Sequence, residues 1–551
     1  MRRSLRFWAP LLLGIGLLVG FWMPRDDTFF LIKKNFTIFA ELYEHIATGY
    51  VDPIDPEKLI RTGIEAMLQT LDPYTIFYDE ADNEDIDILT EGAYGGVGIS
   101  VSQLQGRIMV VDVMEGYDAE KQGIRKGDEL VAVDSTSLEG LNTDDVGALL
   151  RGDPGSRVRI TVRREGVDTL LVFDVLRTRI HLPNVTYAGY LDEKAGVGYI
   201  RLERFAQQAT DEVRDAIERL QEQGDLQRLI LDLRGNPGGL LQEAVALAGL
   251  FLPEGSLIVS TRGRLPESVQ EYRSRRPPML PDIPLAILVD RNSASASEIV
   301  AGAIQDYDRG VIIGERTYGK GLVQIIRRLP YHTALKMTTA RYYTPSGRCI
   351  QAVTYTHREE DGYAVAVADS LRQTFYTEAG RPVRDGGGIE PDIPGMEEKP
   401  GELERVLRNQ AAFFFYANRF AATHEQPPEK VDDALLRDFR RWLDEQNVMY
   451  HTALDETLEQ LRRQVDAYTY DVHAPLRQLR KAIEREKVRD FDRHADWLKA
   501  ELEKEILSRY LSGKEWQQVA LEKDPVVHRA LNVLRDSRAY RASLTTSPVG
   551  Q

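Results

Sequence analysis

The sequence predicts an α/β protein of several domains, and three observations point to it. After Arg179 short apolar strands alternate with helical segments, the βαβ rhythm of a largely parallel, buried sheet. Between Tyr94 and Val162 the pattern is instead short strands and Gly-containing turns, and from about Glu402 strand signals give way to apolar stripes at helical spacing. At about 150 residues per domain, 551 residues make three or four such units.

Composition bounds the function. Hydrophobic residues at 42% and charged residues at 28% exclude a disordered chain, a collagen and a polytopic membrane protein. A formal charge of −16 without a long Lys/Arg block argues against nucleic acid as a partner, because neutralising phosphates needs a basic face. The single cysteine, Cys349, rules out an intrachain disulfide and a Cys-based zinc site. No metal and no other cofactor is expected.

At the amino terminus Arg2, Arg3 and Arg6 precede 17 uncharged residues, Phe7 to Met23. That length is near the lower limit for crossing a hydrocarbon core. The basic flank stays cytoplasmic, and the bulky Phe21-Trp22-Met23 is a poor cleavage site. Residues 1–24 are therefore expected to form an uncleaved transmembrane anchor, with the rest of the chain across the membrane.

Residues 28–92 read as helical. Phe36, Phe39, Leu42, Tyr43 and Ile46 share one face; Leu59, Ile64, Met67 and Leu68 share another; Leu71-Asp72-Pro73-Tyr74 ends the run. Strands are expected at 95–101, 108–113, 129–133 and 158–162, with short helices at 119–122 and 143–150, a module of about 85 residues. Next come a strand at 197–202, a helix at 210–223 capped by Thr210, a strand at 229–233, a helix at 240–251 and a strand at 285–289. Beyond Glu402, Leu403, Leu407 and Phe414, then Phe439, Trp442 and Leu443, then Leu498, Leu502 and Ile506 form helical stripes. They read as an appendage with no chemistry of its own.

The chemistry is expected after the strand 285–289, in Asp290 to Val300. Ser295-x-x-Glu298 matches a capping box, a purely structural use of both residues. The same serine at a strand-to-helix turn would also hold its hydroxyl over backbone N–H groups able to stabilise an oxyanion. Ala294, Ala296 and Gly302 leave room for a substrate backbone.

Such a serine needs a base. The nine histidines are scattered and no G-x-S-x-G elbow occurs. A buried, neutral lysine is the other solution, and Lys320, between Gly319 and Gly321 and 25 positions downstream, is the candidate. The same stretch, Gly314-x-x-x-x-Gly319-Lys320, is a Walker A pattern that ends on Gly321 instead of Ser or Thr, and a strand-like segment follows where a P-loop needs a helix. In Asp232-Leu233-Arg234-Gly235-Asn236-Pro237-Gly238-Gly239 the glycines allow backbone amides to face a ligand.

Three segments, 94–99, 232–239 and 293–298 with 319–324, resemble the carboxy-terminal processing proteases, tail-specific serine proteases with a Ser-Lys dyad and an embedded PDZ module. The resemblance runs over roughly residues 40–395. It implies a crotonase-like (ClpP/crotonase) α/β core with an inserted PDZ domain, divided as anchor 1–24, helical region 28–92, PDZ domain 93–178, protease core 179–395 and helical extension 396–551. It makes Ser295 the nucleophile, Lys320 the general base and Gln324 the residue holding the lysine amine. The amide of Ala296 and one from Gly238 or Gly239 would form the oxyanion hole. Gly96-Val97-Gly98-Ile99 would take the carboxylate of a peptide while the strand edge pairs with its backbone.

The function implied is a serine endopeptidase that recognises exposed apolar carboxyl-terminal tails of envelope proteins and cleaves through an acyl-enzyme. Its partners are protein or peptide substrates with free carboxyl termini and, through the anchor, the membrane; homo-oligomerisation stays open. The location implied is the bacterial cell envelope, anchored in the inner membrane with the catalytic domains in the periplasm or extracytoplasmic space. The alternative is a catalytically silent PDZ-containing scaffold or chaperone.

Overall fold

The computed structural model describes residues 27–79, 92–358, 364–395, 401–448, 450, 452–468 and 472–545. They fall into two units: residues up to 78 with 326–337, and 79–325 with 338–551.

The smaller unit begins with the helices Asp27–Gly49 and Pro56–Gln69. Asp55 caps the second by accepting the Glu57 and Lys58 amides at 2.9 and 3.3 Å, with Pro56 in the first turn where no N–H is missed. The helical expectation for 28–92 then gives way to a strand, Ile76–Tyr78, antiparallel to residues 334–336; residues 80–91 lie outside the described ones.

The membrane expectation is corrected. Among the described residues no helix is long and apolar enough to cross a membrane. The helix Asp27–Gly49 is 23 residues long, but Lys33, Lys34, Glu41 and Glu44 would be stranded in hydrocarbon. The segment 1–24 on which the anchor was read lies outside the described residues. The transmembrane assignment and the inner-membrane location are withdrawn.

In the larger unit the strands Ile99–Leu104, Arg107–Val113, Glu129–Val133, Arg157–Arg163 and Leu171–Leu176 form an antiparallel sheet in that order. The helices Asp118–Gln122 and Thr143–Leu150 accompany it. Their shared core holds Ile108, Val110, Ile124, Val146, Ile160 and Val175.

The second sheet carries the site. Its order is Val185–Asp192, Val197–Leu202, Arg228–Asp232, Leu285–Val289, Val311–Gly314 and Ile393–Pro394, parallel except at the first pair. Leu285–Val289 is buried at every position, as a central parallel strand must be. Ile200, Leu231, Ile287 and Ile312 face the helices Ala209–Gln223, Leu241–Ala248 and Ala296–Asp306 through Val213, Leu247 and Val300. The first of these helices starts at Ala209; Thr210 is inside it and bonds Glu243 with its hydroxyl at 2.7 Å.

The opposite face shows what the helical extension does. Tyr199, Ile230, Ala286, Leu288 and Ile313 pack against Val527, Ala530, Leu531 and Leu534 of the helix Pro525–Arg535. The Leu285 amide donates to the Tyr540 hydroxyl at 3.0 Å, and Arg228 Nε donates to the Leu534 carbonyl at 2.8 Å. The sheet thus has a helical layer on both faces, and the end of the chain supplies the second.

The remaining carboxyl-terminal helices have their own core of Leu403, Leu407, Phe413, Tyr416, Phe439, Trp442, Leu498, Leu502 and Ile506. They also hold the antiparallel-sheet module. Lys126 donates to Ser508 Oγ at 3.0 Å and lies 3.5 Å from Glu505; Asn418 Nδ2 donates to the Gly127 carbonyl at 3.3 Å; Arg107 lies over the Phe415 ring at 4.4 Å.

Candidate active site

Three loops meet at the carboxyl ends of the central parallel strands, the edge where open α/β sheets place their ligands. The first follows Leu285–Val289 and enters the helix Ala296–Asp306. Ser295 stands at the junction with φ 53° and ψ −110°, a backbone conformation that costs a residue with a Cβ about 1–3 kcal/mol.

The three serines of Ser293-Ala294-Ser295-Ala296-Ser297 differ in what their hydroxyls do. Ser293 Oγ donates to the Leu233 carbonyl at 2.8 Å, and Ser297 Oγ to the Asn236 carbonyl at 3.0 Å. Ser295, half-buried, has no such bond among the described residues. On its side of the expected capping box the Glu298 amide donates to the Ser295 carbonyl at 2.9 Å and the hydroxyl makes no capping bond. The Glu298 side is made, with Oε2 accepting the Ser295 amide at 2.9 Å.

Glu298 does more than cap. It is fully buried, and its Oε2 also accepts the Lys320 amide at 2.9 Å. Its Oε1 accepts the Gly319 amide at 2.8 Å and the Thr317 hydroxyl at 2.5 Å. Burial pushes this carboxyl above its ordinary value, and the four donors offset that only in part. A second bridge comes from Tyr342, whose hydroxyl reaches the Ser295 carbonyl at 3.1 Å and also the Lys320 carbonyl. With the Tyr318 amide donating to the Ser293 carbonyl at 3.0 Å, the backbones of Ser295 and Lys320 are bound to the same two side chains. The backbones of Ser295 and Lys320 are therefore brought together. Lys320 is half-buried between Gly319 and Gly321. Gln324, on the strand Leu322–Arg328, donates from Nε2 to Thr338 Oγ1 at 3.3 Å.

The second loop is 232–239. Asn236 ties it to the serine loop, its carbonyl accepting the Ala294 amide at 3.0 Å as well as Ser297 Oγ. Gly238, at φ +98°, lies so close that an added Cβ would fall 2.7 Å from the Ala294 carbonyl, 2.8 Å from the Ala296 nitrogen and 2.9 Å from Ser295 Cβ. Only glycine fits there. The two glycines separate by their amides. The Gly238 N–H donates to Asn236 Oδ1 at 2.8 Å. Among the described residues the Gly239 amide is left over where its neighbours bond Phe205, the Phe205 amide donating to the Gly238 carbonyl at 3.1 Å and the Leu240 amide to the Phe205 carbonyl at 2.7 Å.

At the root of this loop Asp232 is fully buried. It accepts the Tyr199 hydroxyl at 2.6 Å and Arg234 Nη2 at 2.6 Å. Burial alone would raise its carboxyl, but the Arg234 guanidinium outweighs it and holds the group below its ordinary value. Arg234 also pairs with Asp524, the cap of the helix Pro525–Arg535, at 2.8 Å.

Gly96, Val97, Gly98 and Ile99, the expected carboxylate loop, lie where the strand Ala93–Gly96 hands over to Ile99–Leu104. All four are buried, and an added Cβ at Gly98 would fall 2.6 Å from Tyr117 Cβ. The Tyr117 hydroxyl accepts the His181 amide at 2.9 Å. Glu298 as a bridge, Tyr342 and Asn236 were not found from the sequence as site residues. Glu298 read as a cap, and no local pattern marks Tyr342, 47 positions beyond Ser295.

Comparison with known proteins gives the family. The model of peptidase family S41 matches residues 196–361, that of the PDZ domain 109–164, and that described as "Probable PDZ-protease, C-terminal helical domain" 403–534. The carboxy-terminal-processing protease of Bartonella bacilliformis is 36% identical over 359 residues, 65% of this chain and 82% of that protein. The carboxyl-terminal-processing protease of Synechocystis is 32% identical over 370 residues, 62% of this chain and 84% of that protein. Among solved structures, the photosystem II D1 C-terminal processing protease is 29% identical and covers 60% of this chain and 91% of its own, at a TM-score of 0.35, too low to bear on arrangement. With an S41 peptidase core, a PDZ domain and a carboxyl-terminal helical domain, the chain belongs to the carboxy-terminal processing proteases, a family of PDZ-containing serine peptidases.

Proposed function

We propose that the chain is a serine endopeptidase acting through a Ser295–Lys320 dyad. The observation that carries this reading is the uncommitted Ser295 hydroxyl: of three neighbouring serines, it alone is kept from backbone bonding. Two side chains also tie its backbone to that of Lys320.

In the reaction the neutral Lys320 amine takes the proton of Ser295 Oγ as the oxygen attacks the scissile carbonyl. The resulting ammonium gives that proton to the leaving amine, and an ester remains on Ser295. Water then attacks the ester, its proton passing to the same amine, and the acid product leaves with Ser295 restored. The developing oxyanion is held by the amide of Ala296 at the helix start and by that of Gly239. Gly239 is preferred because the Gly238 amide is already taken by Asn236. Gln324 would orient the lysine amine from the adjacent strand.

The domain reading is 28–92 helical, 93–178 PDZ, 179–395 protease core and 396–551 helical extension. The parallel sheet with helices on its faces supports a crotonase-like core. The PDZ module would take an apolar carboxyl-terminal tail at Gly96–Ile99. The test is Ser295→Ala and Lys320→Ala, each measured on an unfolded substrate with an apolar carboxyl terminus. Both should abolish cleavage, and activity retained by either refutes the dyad. Amidating the substrate terminus should weaken recognition; no change refutes the carboxylate loop.

A further inference from the structure

Beside the nucleophile an open cleft of about 500 Å³ is lined by Arg201, Glu203, Arg204, Arg234, Gly238 and Gly239, among others. Two of its three guanidinium groups are committed. Arg234 is held by Asp232 and Asp524. Arg201 lies 3.1 Å from Glu203 and 3.8 Å from Asp232.

Arg204 is different. It is half-buried, yet among the described residues its side chain makes no hydrogen bond and no ion pair. The carboxylates whose field it feels are those of Glu203 and Glu212, together with the phenol of Tyr94. Both carboxylates are engaged elsewhere: Glu203 by Arg201, and Glu212 by the Asn184 amide and side chain and the Val185 amide at 2.7 to 2.9 Å. Burial pulls the Arg204 guanidinium below its ordinary value, the mark of a cation that has given up water without gaining a full partner.

We propose that Arg204 makes this cleft a subsite for a carboxylate of the substrate, held close to the scissile bond. The proposal rests on Ser295 as the nucleophile. Gly238 forms part of the cleft wall and abuts Ser295 and Ala296, so an anion at Arg204 belongs to a residue near the bond being cut. A guanidinium offers a carboxylate two parallel N–H donors, which sets orientation as well as strength. The carboxylate has two sources: an Asp or Glu side chain flanking the scissile bond, or the α-carboxylate of a chain that ends just beyond it.

The experiment compares the full chain with its Arg204→Gln and Arg204→Glu variants on one peptide family. A neutral reference is cut alongside versions with Glu at each position flanking the scissile bond, and versions ending just beyond it with a free or an amidated terminus. The wild type should cut the carboxylate-bearing peptides with kcat/KM about tenfold or more above the neutral one. The ratio should fall to near one in Arg204→Gln and turn against acidic peptides in Arg204→Glu. A gain confined to internal Glu identifies the side chain, and a gain confined to free termini identifies the α-carboxylate. No preference in the wild type, or a preference that survives Arg204→Glu, overturns the proposal. Were no peptide cut at all, the dyad reading would be the one to fall; binding of the same peptides, read by fluorescence anisotropy with Ser295→Ala protein and its Arg204→Glu counterpart, still measures the carboxylate preference.

Discussion

Replacing Glu298 by Gln tests whether one buried carboxylate holds the two halves of the site. The carboxylate meets four donors, the amides of Ser295, Gly319 and Lys320 and the hydroxyl of Thr317. A carboxamide can accept on one atom only. Its cheaper orientation keeps the oxygen toward the Ser295 and Lys320 amides and turns the NH2 toward Thr317, whose hydroxyl can accept instead. The Gly319 amide is then left facing a donor. An orphaned buried amide costs about 1–3 kcal/mol, so Glu298→Gln should lose about that much stability and no more. Gly319 precedes Lys320, and a displacement on the order of 1 Å at a reacting group lowers rate by about a hundredfold. Denaturant unfolding and kcat/KM on an unfolded substrate read the two effects. The labelling rate of Ser295 by a serine-reactive probe reports the nucleophile directly. Wild-type stability together with wild-type turnover would refute the bridge.

Three further outcomes follow from the same packing. Gly238→Ala puts a methyl within 3 Å of three atoms of the serine loop at a φ of +98°; peptide turnover should fall far more than thermal stability, and an active variant would mean the loop can yield. Asp232→Asn removes a buried charge from Arg234, which keeps Asp524 as its remaining ion-pair partner among the described residues, and should destabilise by about 1.5–3 kcal/mol in denaturant titration; a loss under 1 kcal/mol, the range of an exposed pair, would contradict this. Burial would raise the Glu505 carboxyl, but Arg509 and Lys126 outweigh it and hold the group below its ordinary value. The folded state therefore favours the ionised form. Its contribution to the PDZ–helical contact is present above the ordinary glutamate value of about 4.3 and is lost as pH falls through the lowered one. Hydrogen-exchange protection around Lys126, taken relative to the intrinsic rate at each pH, should fall on acidification in that range, and protection with no such step would contradict the assignment.

Most of the fold was legible because local pattern and burial agree. The strands 197–202 and 285–289 fall where continuous apolar runs predicted them, since a central parallel strand must be apolar on both faces. Ser295 and Lys320 could be singled out as candidates, because a strand-to-helix turn and paired glycines are local signatures. Residues whose role depends on a distant partner were not. Glu298 reads as a cap in any window, and only the arrival of the 317–320 loop makes it a bridge. The same holds for Tyr342, and for Arg204, whose lack of a partner among the described residues is a fact about its neighbours. The last helices looked like an appendage because their apolar stripe carries no address; Val527 and Leu531 cover the sheet only once Ile230 and Leu288 are assembled beneath them. Sequence alone determined the alternation of strands and helices in the core and singled out Ser295 and Lys320 as candidates, since those are properties of neighbours along the chain. Tertiary structure decided which hydroxyl is left without a bond, which amide can face an oxyanion and which face of the sheet the chain end closes. These depend on donors and acceptors that meet only when segments tens to hundreds of residues apart fold together.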